Sequence, residues 1–235
     1  MKFSFFKKIA AITAASVISL SAIDFPGLGN SNPLSKSENN KPMVYKDMLA
    51  FFAQSNNPEQ LAAIGALYAV GTNEPDSTGD IIEPNPALAE KYLLESAKLG
   101  NIKAYGILGG LFFLQPNMRQ HDVDFKKART YLEKAISLND YESGIILSNL
   151  YIEAKEEKKA IDLLLLLDQK NDSSAQLSLA LFYNKGIYSE LGKPILKRDQ
   201  KVAEYFLTRA CLNPKQDQNV KMFCEKEVER VEVHK

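Results

Sequence analysis

The stretches "DFKKARTYLEKA" at residues 124–135 and "DQKVAEYFLTRA" at residues 199–210 follow one pattern of residue types. Each begins with Asp and has Ala at its fifth place, an aromatic residue at its eighth, Leu at its ninth and Ala at its twelfth. Residues three and four places apart share one face of an α-helix. The two stretches therefore predict helices that pack in the same way, and they indicate an internal repeat.

The repeat unit contains two helices. The second-helix pattern occurs four times, at Ala89, Tyr92, Leu93 and Ser96, at Ala128, Tyr131, Leu132 and Ala135, at Ala160, Leu163, Leu164 and Leu167, and at Ala203, Phe206, Leu207 and Ala210. A first helix precedes each, with an aliphatic, a small and an aromatic residue at Ile64, Gly65 and Tyr68, at Leu108, Gly109 and Phe112, at Leu147, Ser148 and Tyr151, and at Leu179, Ala180 and Tyr183. A small residue lets two helices approach closely, and a ring fills the space beside it. We expect an all-α fold, an α-solenoid of about four antiparallel helix hairpins.

Further helices and insertions complete this architecture. Residues 43–56 predict an N-terminal helix, residues 57–215 the repeat array, and residues 216–235 a capping helix and tail. Insertions between the two helices of a hairpin fall at 72–85, 116–122 and 187–198, whereas the third hairpin turns at once around Lys155. Gly100, Asn139 and Asn171 follow the second helices, where a left-handed residue commonly ends a helix.

The N-terminus is typical of an exported protein. Three lysines precede an apolar run from Ile9 to Ala22 that is too short to span a bilayer, so residues 1–22 predict a signal peptide. Residues 23–42 predict a disordered linker rich in Pro, Gly, Ser and Asn. Removal of the peptide leaves 26 basic against 29 acidic side chains, which argues against nucleic-acid binding. We expect a periplasmic or secreted protein without a membrane span.

Cys211 and Cys224 are the two cysteines. In an oxidising compartment they favour a disulfide that ties the capping helix to the last hairpin. The alternative is two separate buried thiols.

The sequence offers little catalytic chemistry. His121 and His234 are the two imidazoles. The motif "HDVD" at 121–124 could offer a metal one His and two carboxylates, but its Asp124 is better explained as a helix N-cap. The run "LLLLLD" at 163–168 is typical of a buried helix, because a membrane span needs about 20 apolar residues. We expect no enzyme activity, no cofactor and no metal.

The hairpin pattern resembles the Sel1-like repeat, a relative of the tetratricopeptide repeat. The resemblance covers about residues 60–215, and Asp124, Lys127 and Ala128 match it best. It implies a protein-binding array whose groove-facing places follow the small residue and the aromatic residue of each first helix. These places are Ala66, Ala69, Gly110, Phe113, Asn149, Ile152, Leu181 and Asn184. The alternative is that Phe113, Ile152 and Leu181 pack between units. The acidic insertion, with Glu74, Asp76, Asp80 and Glu83, is a second candidate contact.

The resemblance implies three functions. The first is an inhibitor or immunity protein that sequesters a secreted toxin, such as a type VI secretion lipase effector. The second is a scaffold or adaptor for other exported proteins. A remote third is a cell-wall or β-lactam-related enzyme, although the family branch described in that way carries a Cys pair in each repeat, which this chain lacks.

Overall fold

The computed structural model describes residues 44–72, 75–114, 122–189 and 191–233, with the side chains of 114, 122, 123 and 227–233 left out. The predicted signal peptide and linker, Glu74 and both histidines lie outside the described residues. The rest forms two compact units that divide between Ser143 and Gly144.

The first unit contains five α-helices among its described residues. They are α1 (Tyr45–Ala53), α2 (Pro58–Val70), α3 (Pro86–Lys98), α4 (Lys103–Leu114) and α5 (Asp122–Ser137), followed by a 3-10 turn (Tyr141–Ser143). Helices α2 and α3 form one hairpin, and α4 and α5 form the next. Asn57 and Asn85 cap α2 and α3, and each is followed by a proline that suits the first helical position.

The second unit continues with hairpins and a closing helix. Its elements are α6 (Gly144–Glu153), α7 (Glu157–Gln169), α8 (Ser173–Lys185), β1 (Ile187–Tyr188), β2 (Pro194–Leu196), α9 (Gln200–Cys211) and α10 (Gln218–Val233). Helix α6 pairs with α7, and α8 pairs with α9. The predicted all-α fold of helix hairpins, with an N-terminal and a closing helix, is confirmed.

Each of the first two hairpins closes where a glycine of its first helix meets a leucine of its second. A Cβ on Gly65 would lie 2.5 Å from Cγ of Leu93, and one on Gly109 would lie 2.3 Å from Cγ of Leu132. Both leucines are completely buried. The glycines therefore allow a helix-to-helix approach that any side chain would prevent.

Stacked rings lie beside these crossings. Tyr68 stacks on Tyr92 with centroids 5.9 Å apart, Phe112 on Tyr131 at 6.0 Å, and Tyr183 on Phe206 at 5.8 Å. In every pair the first ring belongs to the first helix and the second ring to the second helix of one hairpin. The third hairpin has Leu163 at the matching place, and there Lys159 lies over the Tyr151 ring instead.

The turns after the second helices also repeat. Gly100, Asn139 and Asn171 have positive φ values, as the sequence predicts. The following residue donates its N–H to the carbonyl five places earlier, from Asn101 to Ser96, Asp140 to Ala135 and Asp172 to Leu167. This bond satisfies a carbonyl that the helix end leaves open. The fourth hairpin differs, since Asn213 is buried and donates to the Asn171 carbonyl and to the side chain of Gln176.

The closing helix is capped at its start and is attached to α9 by apolar packing and a disulfide. Asp217 accepts from the N–H groups of Asn219 and Val220, which caps α10. Val220 and Cys224 pack on Ala210 of α9. Cys211 and Cys224 form the expected disulfide, with their Cα atoms 5.6 Å apart.

The first insertion holds α1 in place. Ile82 of the insertion is buried against Tyr45, Met48 and Phe52 of α1. Asp76 accepts a hydrogen bond of 2.7 Å from the backbone N–H of Tyr45, at the start of α1. The Thr78 hydroxyl also donates to Asp76, at 2.7 Å. These bonds favour the ionised carboxylate, and they lower the pKa of Asp76 from 3.8 to about 2.

The insertion of the fourth hairpin, residues 187–198, contains a feature that departs from the all-α expectation. Strands β1 and β2 pair antiparallel, with Ile187 opposite Leu196 and Tyr188 opposite Pro194. Ser189 and Gly192 form the turn, in which the Gly192 N–H donates to the Ser189 carbonyl at 2.9 Å. The sequence feature that indicates this β-hairpin is Gly192, which lies between two short runs rich in Ile, Tyr and Leu.

The close crossing at Gly109 predicts whether its substitution by alanine stabilises or destabilises the fold. Helix propensity alone favours Ala over Gly by about 1 kcal/mol. In Gly109→Ala the added methyl would collide with Leu132, and overpacking of this kind costs about 1–3 kcal/mol. We expect Gly109→Ala to lower the free energy of unfolding, as measured by urea denaturation.

A double-mutant cycle gives the control for this substitution. In a Leu132→Ala background the two shortest contacts are removed and the Ala128 carbonyl oxygen remains at 3.2 Å, so Gly109→Ala should destabilise the fold much less or not at all. A stabilising Gly109→Ala in the otherwise unchanged chain would contradict the crossing.

The Asp76 contacts predict a pH dependence. Because the folded-state pKa lies below the unfolded value, the carboxylate contributes stability above about pH 4, and this contribution is lost as the pH falls towards about 2. Asp76→Asn should lower the thermal midpoint at pH 6, and the difference from the unchanged chain should disappear near pH 2. Glu83→Gln, an exposed change in the same insertion, is the matched control. An equal difference in thermal midpoint at both pH values would contradict the stabilising role of the ionised Asp76 carboxylate.

Candidate protein-binding surface

The expected groove positions of the first unit are buried. Ala66, Ala69, Gly110 and Phe113 all belong to the interior. Ala69 packs with Ala89 and Leu111, and Phe113 meets the edge of the Phe125 ring at 6.3 Å. The expectation that these four residues line an open floor is therefore corrected. For Phe113 the structure favours the alternative, a role in packing.

The physical reason is the composition of the first helices. Helix α2 buries Leu61, Ala62, Ala63, Ile64, Gly65, Ala66, Leu67 and Ala69, so it has no polar stripe for a partner to approach. A helix that is apolar all round is covered on all sides. Sequence periodicity cannot show which side of such a helix is open.

The matching positions of the second unit lie at the surface. Asn149, Ile152 and Leu181 are half-buried, and Asn184 is exposed. Asn149 and Ile152 lie on α6, and Leu181 and Asn184 lie on α8. Each helix thus offers one amide and one apolar side chain at equivalent repeat positions, which is a suitable chemistry for binding a polypeptide.

Ile152 and Asn184 lie in the last turns of their helices, and Asn149 and Leu181 lie three residues before them. Helix α6 ends before Lys155, which has φ 59°, and the Glu156 N–H donates to the Tyr151 carbonyl at 2.8 Å. Helix α8 ends before Gly186, which has φ 72° and donates to the Phe182 carbonyl at 2.7 Å. Ile152 and Asn184 therefore stand next to turns, where a helix face opens to solvent.

The acidic insertion offers less charge to a partner than its sequence predicts. Asp76 uses its carboxylate within the fold, as described above. Asp80 and Glu83 are exposed, although Asp80 also accepts from the Thr78 hydroxyl at 3.1 Å. These two residues remain available for contact.

Three titratable groups with raised pKa values are explained by burial during helix packing. Burial raises the pKa of Asp140, which accepts from Ser143, and the pKa of Asp172, which caps α8. Burial also raises the pKa of Tyr131, and its hydroxyl donates to Glu90 at 2.8 Å. Each group has a structural partner, so these shifts point to no acid–base pair.

Two further properties concern ions and membranes. In the part of the chain that the structure describes, no three His, Cys, Asp or Glu side chains are grouped so as to hold a metal ion. Of the helices among residues 44–233 that are described, none is long and apolar enough to span a bilayer.

The chain matches known sequences through its repeats. The family model of the Sel1 repeat matches residues 64–101, 107–140 and 173–214. The match omits the hairpin of α6 and α7, whose helices are joined by a tight turn without an insertion. No curated protein sequence matches the chain significantly.

Solved structures share the fold. The crystal structure of a Sel1 repeat protein from Oxalobacter formigenes superimposes with a TM-score of 0.53 at 18% identity, over 74% of this chain and 65% of that one. The structure of c5321, a protective antigen of uropathogenic Escherichia coli with an SLR fold, gives 0.58 at 19% identity, over 92% of this chain. The chain thus spans 65% and 42% of these two proteins. With three matched repeats and this shared fold, the chain belongs to the Sel1-like repeat proteins.

Proposed function

We propose that this chain is a non-catalytic, periplasmic protein-binding protein that sequesters a secreted toxin, with a type VI secretion lipase effector as the specific candidate. The observation that carries the proposal is the pair of equivalent surface sites on α6 and α8. There Asn149 and Ile152, and Leu181 and Asn184, combine amide and apolar side chains.

The chemistry of these sites suits tight binding to a protein. Ile152 and Leu181 can lose the rest of their exposed apolar surface against a partner, which supplies affinity. The exposed amide of Asn184 can both donate to and accept from a partner's backbone, which supplies orientation. The Sel1 repeats support the same role, because stacked helical repeats present extended surfaces for proteins.

The toxin is what the family resemblance implies, and the location is what the N-terminal sequence predicts. The predicted signal peptide supports a place outside the cytoplasm, where a secreted effector would meet the chain. An inhibitor needs only a surface that covers a toxin's active site, so it requires no catalytic residues of its own. An adaptor for envelope proteins would use the same surface and would leave its partners active.

The proposal predicts the loss of a partner on substitution. Ile152→Arg together with Asn184→Arg should lower affinity for the captured partner by about tenfold or more, as central interface positions do. The control, Gln169→Arg with Gln218→Arg, adds the same two positive charges at exposed positions of α7 and α10. Affinity capture from periplasmic extract with mass spectrometry identifies the partner, and circular dichroism verifies that both variants are folded.

An activity measurement separates the competing functions. We expect the captured partner to be a toxin whose enzymatic activity falls to zero at an equimolar amount of this chain. Envelope proteins captured without loss of activity would contradict the inhibitor and favour the adaptor. Hydrolysis of a β-lactam or of cell wall by the purified chain would contradict both.

A further inference from the structure

The β1–β2 hairpin exposes large apolar side chains to solvent. Leu191 is 85% exposed, Tyr188 50% and Ile195 38%. All three lie within nine residues of one another, in a unit whose other apolar residues mostly form a core. Clustered apolar exposure of this kind usually marks an interaction site.

Exposed cations lie near these apolar side chains in the sequence. Lys193, Lys197 and Arg198 are exposed, whereas residues 187–198 contain a single acidic residue. The whole chain has as many acidic as basic side chains, so the positive charge is a local property of this insertion. An anionic occupant is therefore favoured.

The hairpin is fixed at its base. Gly186 begins it with φ 72°, and the Asp199 N–H closes it by donating to the Tyr183 carbonyl at 2.8 Å. The Tyr188 ring lies against Gly186, where an added Cβ would be 2.8 Å from its Cε2 atom. The apolar and basic side chains are thus presented on a closed loop with both ends held by the α8–α9 hairpin.

The tip of the hairpin is open to solvent at Gly192. Among the described residues, nothing lies within 4 Å of the place where a Cβ would stand on Gly192. An exposed leucine followed in the chain by exposed cations fits the surface of an anionic bilayer, where apolar side chains enter the acyl boundary and cations meet phosphates. Lys and Arg can lay their stems along the apolar part while their charges remain at the headgroups.

We propose that this hairpin docks the protein on anionic phospholipid membranes, with Leu191 inserted and Lys193, Lys197 and Arg198 at the headgroup phosphates. The inference is independent of the proposed toxin binding, which uses α6 and α8. It describes surface attachment by a loop and requires no spanning segment.

The absence of tryptophan from the sequence allows a local probe. Leu191→Trp introduces a single tryptophan at the tip, and its emission should shift to the blue when vesicles of phosphatidylcholine with phosphatidylglycerol are added. Vesicles of phosphatidylcholine alone should give no shift. Tyr205→Trp, at an exposed position of α9, is the control and should not shift with either. This readout separates the hairpin from the apolar segment at Ile9–Ala22, which could itself bind lipid in the full chain.

Charge removal tests the headgroup contacts in a second experiment. In the Leu191→Trp background, Lys193→Ser, Lys197→Ser and Arg198→Ser together should weaken the partition that gives the shift by roughly a hundredfold, at about fivefold per cation. Lys158→Ser, Lys215→Ser and Lys221→Ser remove the same charge from other exposed positions and should change it little. Added salt should weaken the shift as well.

Two results would overturn the proposal. One is no blue shift at position 191 with anionic vesicles, which would leave an acidic protein as the occupant of the hairpin. The other is an equal loss of the blue shift in both triple variants. That result would mean that vesicle binding depends on the net charge of the protein and not on the cations of the hairpin.

Discussion

The close crossing of two helices within a hairpin is the constraint on which the rest of the structure depends. Gly65 and Gly109 leave room that Leu93 and Leu132 fill, and full burial of each leucine stabilises the fold by about 2 kcal/mol. Stacked rings occupy the space alongside, at Tyr68 with Tyr92 and at Phe112 with Tyr131. Ser148 and Ala180 are buried at the same repeat positions in the second unit.

The crossing also determines where the chain is free to vary. Both long insertions begin at a glycine with positive φ, Gly71 and Gly186, and both return at a residue whose N–H bonds to the first-helix tyrosine, Asn85 to Tyr68 and Asp199 to Tyr183. Between these points the sequence is not constrained by the hairpin. One insertion is acidic and holds α1, and the other is basic and forms a β-hairpin. Differences in function can therefore arise in the insertions without cost to the packing.

Sequence periodicity predicted the helices, the crossings and the left-handed turns because those features depend on residues three to five places apart. The disulfide was predicted on other grounds, from two cysteines in a chain expected to reach an oxidising compartment. Periodicity could not predict that Ala66 and Phe113 are buried, because the middle parts of α2 and α4 are apolar on every side. Nor could it assign Asp76 to the start of α1, since that bond joins residues 31 places apart. The short strands of the basic insertion carry too few residues for a clear alternating pattern.

Native-state hydrogen exchange tests the repeated crossing most directly, because protection reports the local free energy of opening residue by residue. The account predicts four separate maxima of protection in the described part of the chain, around Gly65, Gly109, Ser148 and Ala180, with fast exchange at exposed insertion residues such as Gly79 and Leu191. A single protected region, with at least one of the four crossings exchanging as fast as the insertions, would contradict it.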